Sequence, residues 1–320
     1  MALGLVRIIV NPISGRGQAP RFVAELSRHA SMRGFTVETV ATEGRGHAGD
    51  LARATPDDAR CVVSIGGDGT HREVLSGLIN RPVPACIVPS GTENVLARTF
   101  RLRGTLRETL DIIQNGRAVG LDVGMANAHP FLMFSGVGFD AAVTWEVQKK
   151  RQGPIVRSAY YVPILRLLWS YGFPPMAVTV DGRLLTDDAG VVLVANTPLY
   201  GDGLRIAPRA IGDDGLLDVV CYRARERWQV LRHFIRTRLG RHLGHPLVAF
   251  GRGQRIEVDC RERPLPVQVD GDVVGRSPVT YTLLPKAVRL LLPNGPRTKD
   301  EENSRERRAA RPGPGSPLHS

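Results

Sequence analysis

Cysteine is scarce in this sequence: four occur in 320 residues, at positions 61, 86, 221 and 260, with no C-x-x-C pair. That scatter excludes a zinc framework or a disulfide scaffold and leaves reduced core residues of a cytosolic protein as the expectation. Long apolar runs are lacking too, so no segment reads as a bilayer-crossing helix. The opening Met1–Val10 has no basic region followed by an apolar one and reads as a first strand, not a secretory signal. Aromatic residues amount to only 6%. A nucleic-acid binder would spread its basic charge and add aromatics for base stacking; neither pattern occurs, so no nucleic-acid partner is expected.

What remains is an ordinary soluble composition, 42% hydrophobic and 23% charged, in a chain long enough for two domains with cores of their own. The formal net charge is +12, and it is unevenly placed: +3 on residues 1–122, +7 on residues 123–295 and +2 on residues 296–320. Within residues 223–241 alone there are seven arginines and one acid.

Residues 1–122 alternate strand and helix. Apolar runs mark strands at Leu5–Val10, Thr36–Ala41, Cys61–Ile65, Ala85–Val88 and Ala118–Val123. Helical spacing falls at Arg21–Arg33, at His47–Ala54, from Thr70 onward, at Asn94–Thr99, and around Leu106, Leu110 and Ile113. This predicts an α/β fold, an open parallel sheet with helices on both faces, whose ligands bind beyond the carboxyl ends of the strands. Residues 123–295 change character. Strands are expected at Phe131–Gly138, Ala177–Leu185, Val191–Ala195, Leu216–Cys221, Arg255–Val258, Val267–Val274 and Val288–Leu292, with helices near 141–151, 158–171 and 226–243. Asp181-Gly182 and Asp270-Gly271, each between alternating apolar residues, are two-residue hairpin signals. The second domain is therefore mainly antiparallel and β-rich, and residues 296–320, without apolar periodicity, are expected to be a disordered tail.

Three small-residue turns land at the ligand-binding edge of the predicted sheet. The central one is Gly66-Gly67-Asp68-Gly69-Thr70, between a buried strand and a helix whose apolar residues 74, 75, 78 and 79 share one face. Thr70 and Glu73 have capping-box spacing, which would start the helix there. Glycines admit a ligand close to the backbone, and a helix start offers N–H groups to a phosphate; a carboxylate such as Asp68 beside phosphates calls for a magnesium ion between them. The others are Asn11-Pro12-Ile13-Ser14-Gly15-Arg16-Gly17 and Pro89-Ser90-Gly91-Thr92-Glu93-Asn94.

Taken together, N-P-x-S-G-x-G, G-G-D-G-T-x-x-E-V and P-S-G-T-x-N-x-x-A-R resemble the catalytic domain of the diacylglycerol kinase and sphingosine kinase superfamily, especially its bacterial soluble branch. The likeness continues through Leu121–Gly124, Gly136–Asp140, Asp214–Asp218 and Asp270–Asp272, covering residues 5 to about 292. The resemblance implies ATP in the crevice, with Asn11, Pro12, Ile13, Ser14, Gly15, Thr42, Gly66, Gly67, Asp68, Gly69, Thr70, His71, Arg72 and Thr92 around the nucleotide and Asp68 acting beside the phosphates and Mg2+. It implies a structural magnesium held by the Asp214 carboxylate and the carbonyls of Ile211 and Leu216. It also implies a base for the lipid hydroxyl in the D-G-E motif, here Asp270-Gly271-Asp272, where either acid could serve. Two departures stand out: Arg16 where the family often has Lys, and Val95 where it often has Asp. In the family those two residues, with the acid matching Asp122, form a charged network supporting the metal; here only Arg16 and Asp122 remain to pair.

The expected activity is transfer of the γ-phosphoryl group of ATP to a lipid hydroxyl. The alternatives are a non-catalytic lipid- or nucleotide-binding protein on the same fold, and a NAD kinase-like small-molecule kinase, which shares G-G-D-G. The basic stretch Arg223–Arg241 places Trp228, Leu231, Ile235 and Leu239 near one helical face with arginines at its sides. That face either meets the acyl chains of an anionic membrane or packs on the second domain. A cytoplasmic protein with peripheral membrane association is expected, and a homodimer is compatible with the chain.

Overall fold

The computed structural model describes residues 3–14, 19–149 and 158–294. Gly15 and Arg16 of the first loop, and the segment expected to be a tail, lie outside the described residues.

The first half runs β1 (Leu5–Val10), α1 (Ala19–Met32), β2 (Thr36–Ala41), α2 (His47–Arg53), β3 (Cys61–Gly66), α3 (Asp68–Gly77), β4 (Ala85–Pro89), α4 (Val95–Thr99), α5 (Leu106–Asn115) and β5 (Arg117–Ala126). Strands β2, β1, β3 and β4 lie side by side and parallel. Val10 is in register with both Ala41 and Ile65, and Ile65 with Val88. The strands thus end level, and Asn11, Thr42, Gly66 and Pro89 leave the sheet along one edge. All of β3 is buried, as the continuous apolar run Cys61–Ile65 requires of a central parallel strand covered on both faces.

The second half runs β6 (His129–Phe131), β7 (Phe134–Gly138), α6 (Phe139–Lys149), α7 (Ser158–Ser170), β8 (Met176–Val180), β9 (Arg183–Ala189), β10 (Val191–Ala195), β11 (Leu217–Tyr222), α8 (Arg227–Arg238), β12 (Val248–Gly253), β13 (Ile256–Asp259), β14 (Pro266–Val269), β15 (Asp272–Arg276) and β16 (Val279–Leu292). A six-stranded sheet, ordered β12-β11-β10-β7-β14-β15, is antiparallel throughout. Phe131, Val137, Val192, Val219, Val258 and Tyr281 share the core between this sheet and the antiparallel part of the larger one.

The long strand β16 joins the halves. It pairs antiparallel with β5 and β13 and touches β4 in parallel, at Leu290 against Ala85, so one ten-stranded sheet spans the molecule. Its last residues, Val288 and Leu290–Leu292, pack in the first core beside Ile8, Val62 and Leu75. The expected division at residue 122 falls inside β5.

Helix α8 lies the other way round from an ordinary surface helix. His233 and Thr237 are its buried residues. Thr237 bonds the hydroxyl of Tyr222 at 2.9 Å, and the His233 ring meets the Arg223 carbonyl at 3.0 Å. Trp228, Leu231, Phe234, Ile235 and Leu239 face solvent. Packing of the apolar face on the second domain is therefore excluded, because polar anchors to β11 fix the helix's rotation. No helix among the described residues is long and apolar enough to cross a membrane.

Candidate active site

The three loops at the sheet edge are laced together. Asn11 donates from Nδ2 to Thr70 Oγ1 at 3.2 Å, and the Ser14 and Ser90 hydroxyls are 2.9 Å apart. Ser90 N–H donates to the Gly66 carbonyl at 2.7 Å, and Gly91 and Asn94 exchange two hydrogen bonds of 2.9 Å. The central and third loops touch where neither residue has a side chain: a Cβ on Gly91 would stand 2.6 Å from Gly67 Cα. A cleft of about 400 Å³ opens beside the third loop, lined in part by Thr92, Asn94, Arg98 and Asp202. Pro12, Ile13, Gly69 and Thr92 are exposed along this edge, and Thr42 is half-buried.

Helix α3 starts at Asp68, with Gly67 as its N-cap and no side-chain cap, not at Thr70 as the capping-box spacing predicts. The Thr70 hydroxyl is already engaged by Asn11. Residue 71 shares the buried face of Val74, Leu75 and Leu78. His71 is fully buried, bonds Ser64 at 2.8 Å through Nδ1, and burial pushes its pKa down to about 3. It is a neutral core residue, so the expected nucleotide contact at His71 is corrected; Thr70 braces the first loop through Asn11.

Asp68 is likewise not a free loop carboxylate. It accepts the N–H groups of Val95 at 3.0 Å and Leu96 at 3.1 Å, and so caps α4 from another loop. Burial raises its carboxyl, while these backbone donors pull the other way. Asp68→Ala should therefore cost about 1 kcal/mol of stability through the lost cap and loosen the third loop. A lowered melting temperature is the expected result; an unchanged melt would contradict the bracing role.

Across the crevice, the turn between β14 and β15 is the hairpin that the sequence predicts, with Asp270 at φ 46° and Gly271 at φ 86°. Its two acids do different things. Asp270 accepts from Leu132 N–H at 2.8 Å and from Met133 and Phe134 N–H at 3.0 Å each, so its carboxylate binds the hairpin to the β6–β7 turn. Burial pushes its pKa up to about 6, against those donors and Arg72. Asp272 faces the parallel-sheet half. It pairs with Arg72 on α3, with Arg45 at 2.6 Å, and accepts from Gln148 of α6 at 2.8 Å. Gln148 also donates to the Gly271 carbonyl at 3.1 Å. Behind the turn, Gly271 N–H donates to Gln268, whose amide donates to half-buried Asp140, which also accepts from Tyr200.

Asp270→Asn turns one acceptor into a donor facing a backbone N–H, at a cost on the order of 1–3 kcal/mol. The native state keeps this proton up to about pH 6, whereas an unfolded aspartate releases it near pH 4. The group's contribution is thus fully present below about pH 4 and is lost as pH rises through 6. Melts across this range should show a larger penalty for the variant near pH 4 than near pH 7.

The expected structural-magnesium ligands present a different picture. Asp214 Oδ2 is 2.6 Å from Arg252 Nη2, and the same guanidinium pairs with fully buried Asp218. The Ile211 carbonyl accepts the N–H groups of Asp213 and Asp214, and Leu216 N–H donates to Asp214 Oδ1 at 3.3 Å. No cluster of three or more His, Cys, Asp or Glu able to hold a metal occurs among the described residues. The donor set of Asp214, Ile211 and Leu216 does not fit a divalent cation as arranged, because Arg252 already supplies the balancing charge. Asp122, expected in the metal's network, accepts backbone N–H groups from Gly215 and Lys286 at 2.7 Å each, and burial raises its carboxyl. Val95 is buried and contributes only its N–H.

Three residues of this region escaped sequence reasoning. Arg45 had a signal, since it lies between glycines in the loop after β2, at the same edge as the other turns. Gln148 and Arg252 had none: each sits in a regular element and acquires its partner only through the fold.

Two family models match the chain: the diacylglycerol kinase catalytic domain over residues 5–126, and the YegS C-terminal NAD kinase beta sandwich-like domain over residues 134–292. A diacylglycerol kinase of Bacillus subtilis is 27% identical over 292 residues, covering 90% of this chain and 96% of the relative. One from Mycobacterium tuberculosis is 29% identical over 299 residues, covering 91% and 96%. Among solved structures, a diacylglycerol kinase from Bacillus anthracis superposes with a TM-score of 0.68 at 20% identity, over 90% of this chain and 97% of that one, which shows a shared fold. With both domain types matched in order, and with the three-loop edge and the D-G-D hairpin facing one crevice, the chain belongs to the diacylglycerol kinase and sphingosine kinase catalytic-domain superfamily.

Proposed function

We propose that this protein is an ATP- and magnesium-dependent lipid kinase that transfers the γ-phosphoryl group to a diacylglycerol-like or sphingoid-like hydroxyl. The observation that carries the reading is the Arg72–Asp272 pair. It sets a carboxylate of the second domain against the helix that begins in the glycine-rich loop, so a phosphoryl donor and an acceptor alcohol can meet there. The many relatives named diacylglycerol kinase support a kinase.

In this reading the triphosphate lies along the three loops, on the exposed N–H groups around Gly67–Gly69 and near Thr92 and Arg72. Magnesium bound with the triphosphate supplies charge neutralisation. Arg72 turns from Asp272 toward the γ-phosphate, and Asp272, still held by Gln148 and Arg45, orients the acceptor hydroxyl. The acceptor oxygen attacks the γ-phosphorus, the bond to the ADP oxygen breaks, and the hydroxyl proton passes to Asp272. Positioning and charge do most of the work. Asp270 holds the turn that aims Asp272.

The test is a nucleotide thermal shift with and without magnesium, followed by ATP consumption with diacylglycerol, sphingoid base, ceramide and phosphatidylglycerol side by side. A magnesium-dependent shift and turnover on one lipid class are expected. Nucleotide binding without turnover on any lipid would mark a non-catalytic protein on the same fold.

A further inference from the structure

The chain has three tryptophans, and all are exposed: Trp145 on α6 is 44% exposed, Trp169 on α7 66% and Trp228 on α8 61%; Arg166 of α7 reaches Glu146 of α6 at 4.0 Å. The Arg227 guanidinium links two of the helices, 4.2 Å from the Trp169 ring centroid and 5.5 Å from that of Trp228. On the two helices that Arg227 links, and at the C-cap of α8, Tyr161, Leu165, Phe234 and Leu239 are also exposed. Large apolar side chains gathered in the open on neighbouring helices are seldom without a use.

We propose that this face of α6, α7 and α8 docks on an anionic lipid bilayer. Charge argues for that occupant. Arg232 and Arg236 flank the apolar row of α8, and no ion pair engages either among the described residues, whereas Arg225 and Arg238 are matched by Asp188 and Asp202. Apolar rings beside arginines suit the boundary between acyl chains and acidic headgroups, where tryptophan in particular settles. A second copy of this chain fits poorly, since two-fold pairing would set the arginines of one face against those of the other. The surface also adjoins the crevice: α6 carries Trp145 outward and Gln148 toward Asp272. Docking there would bring the acceptor side of the crevice to the membrane. The proposal extends the lipid-acceptor reading but does not need phosphoryl transfer to be correct.

Because every tryptophan stands exposed on one of these three helices, intrinsic fluorescence reports them directly. In full-length protein without nucleotide or acceptor, phosphatidylglycerol vesicles should shift emission to the blue, and brominated acyl chains should quench it. Both effects should fade as salt rises and be weak with phosphatidylcholine. Changing Arg232→Gln and Arg236→Gln together should weaken partitioning onto anionic vesicles roughly 30-fold, at about 1 kcal/mol per arginine. Trp228→Ser with Phe234→Ser, on the exposed face and checked by an unchanged melt, should remove most of the remaining affinity. The proposal is overturned if phosphatidylglycerol vesicles leave wild-type emission unchanged at low salt, or if the arginine pair can be removed without loss. A blue shift that follows protein concentration without vesicles would also overturn it, showing that a second copy covers the face. A protein that phosphorylates no lipid can still pass this test.

Discussion

Asp272→Asn should lower turnover at least a hundredfold and leave the melting temperature close to that of the wild type. The expectation follows from what each acid of the hairpin touches. Asp272 meets Arg72, Arg45 and Gln148, all side chains at the crevice. Arg45 is 71% exposed, so that pair is screened and adds little stability, and an amide oxygen at position 272 still accepts from the same Arg72 and Gln148 donors. A carboxylate that accepts the hydroxyl proton contributes about 10²–10⁴ in rate, and an amide of the same shape cannot accept it. Asp270→Asn should behave in the opposite way, with a clear stability penalty from the disturbed β6–β7 turn and a smaller loss of turnover. Parallel measurement of kcat and melting temperature on both variants checks the assignment. If Asp272→Asn retains activity while Asp270→Asn loses it at unchanged stability, the roles are reversed.

The second large effect is on stability. Arg252→Met should cost about 3–5 kcal/mol, the loss expected when one partner of a buried ion pair is removed. Arg252 is 13% exposed and spans Asp214, 7% exposed, and Asp218, 0% exposed, so its loss removes the cation shared by two buried carboxylates. Methionine nearly fills the arginine's stem but returns none of the charge. Chemical denaturation at pH 7 measures the loss. A variant as stable as the wild type would mean that Arg252 does not supply the charge balance assigned to it at Asp214.

The parallel sheet and its three loops were legible because buried strands, glycine turns and helix spacing are local signals, and β1 through β5 follow them closely. The hairpins at Asp181-Gly182 and Asp270-Gly271 were legible for the same reason. Strand β12 was not: Val248–Gly253 carries two glycines and an arginine in place of apolar alternation, and its pairing with β11 is a tertiary event. The first half of β16 was missed because Pro285-Lys286 looks like a break, whereas the strand bulges there and continues to Leu292. Residue types at the site were legible and their roles less so. Asp68 belongs to a recognisable motif, but that it caps α4 depends on a loop nearly thirty positions away. The outward turn of α8 was hidden in the same manner. An apolar row says that a face exists, and only the Tyr222–Thr237 and Arg223–His233 contacts decide which way it points.

The most direct test of the account follows the phosphorus itself. Purified protein is incubated with ATP labelled at the γ-phosphate, magnesium and mixed vesicles carrying each lipid alcohol in turn, and the label in the extracted lipid is measured for wild type and for Asp272→Asn. The account predicts label in one lipid class with wild type and at least a hundredfold less with the variant. Label that stays in ATP or appears only as free phosphate with every lipid, or equal labelling by both proteins, would contradict it.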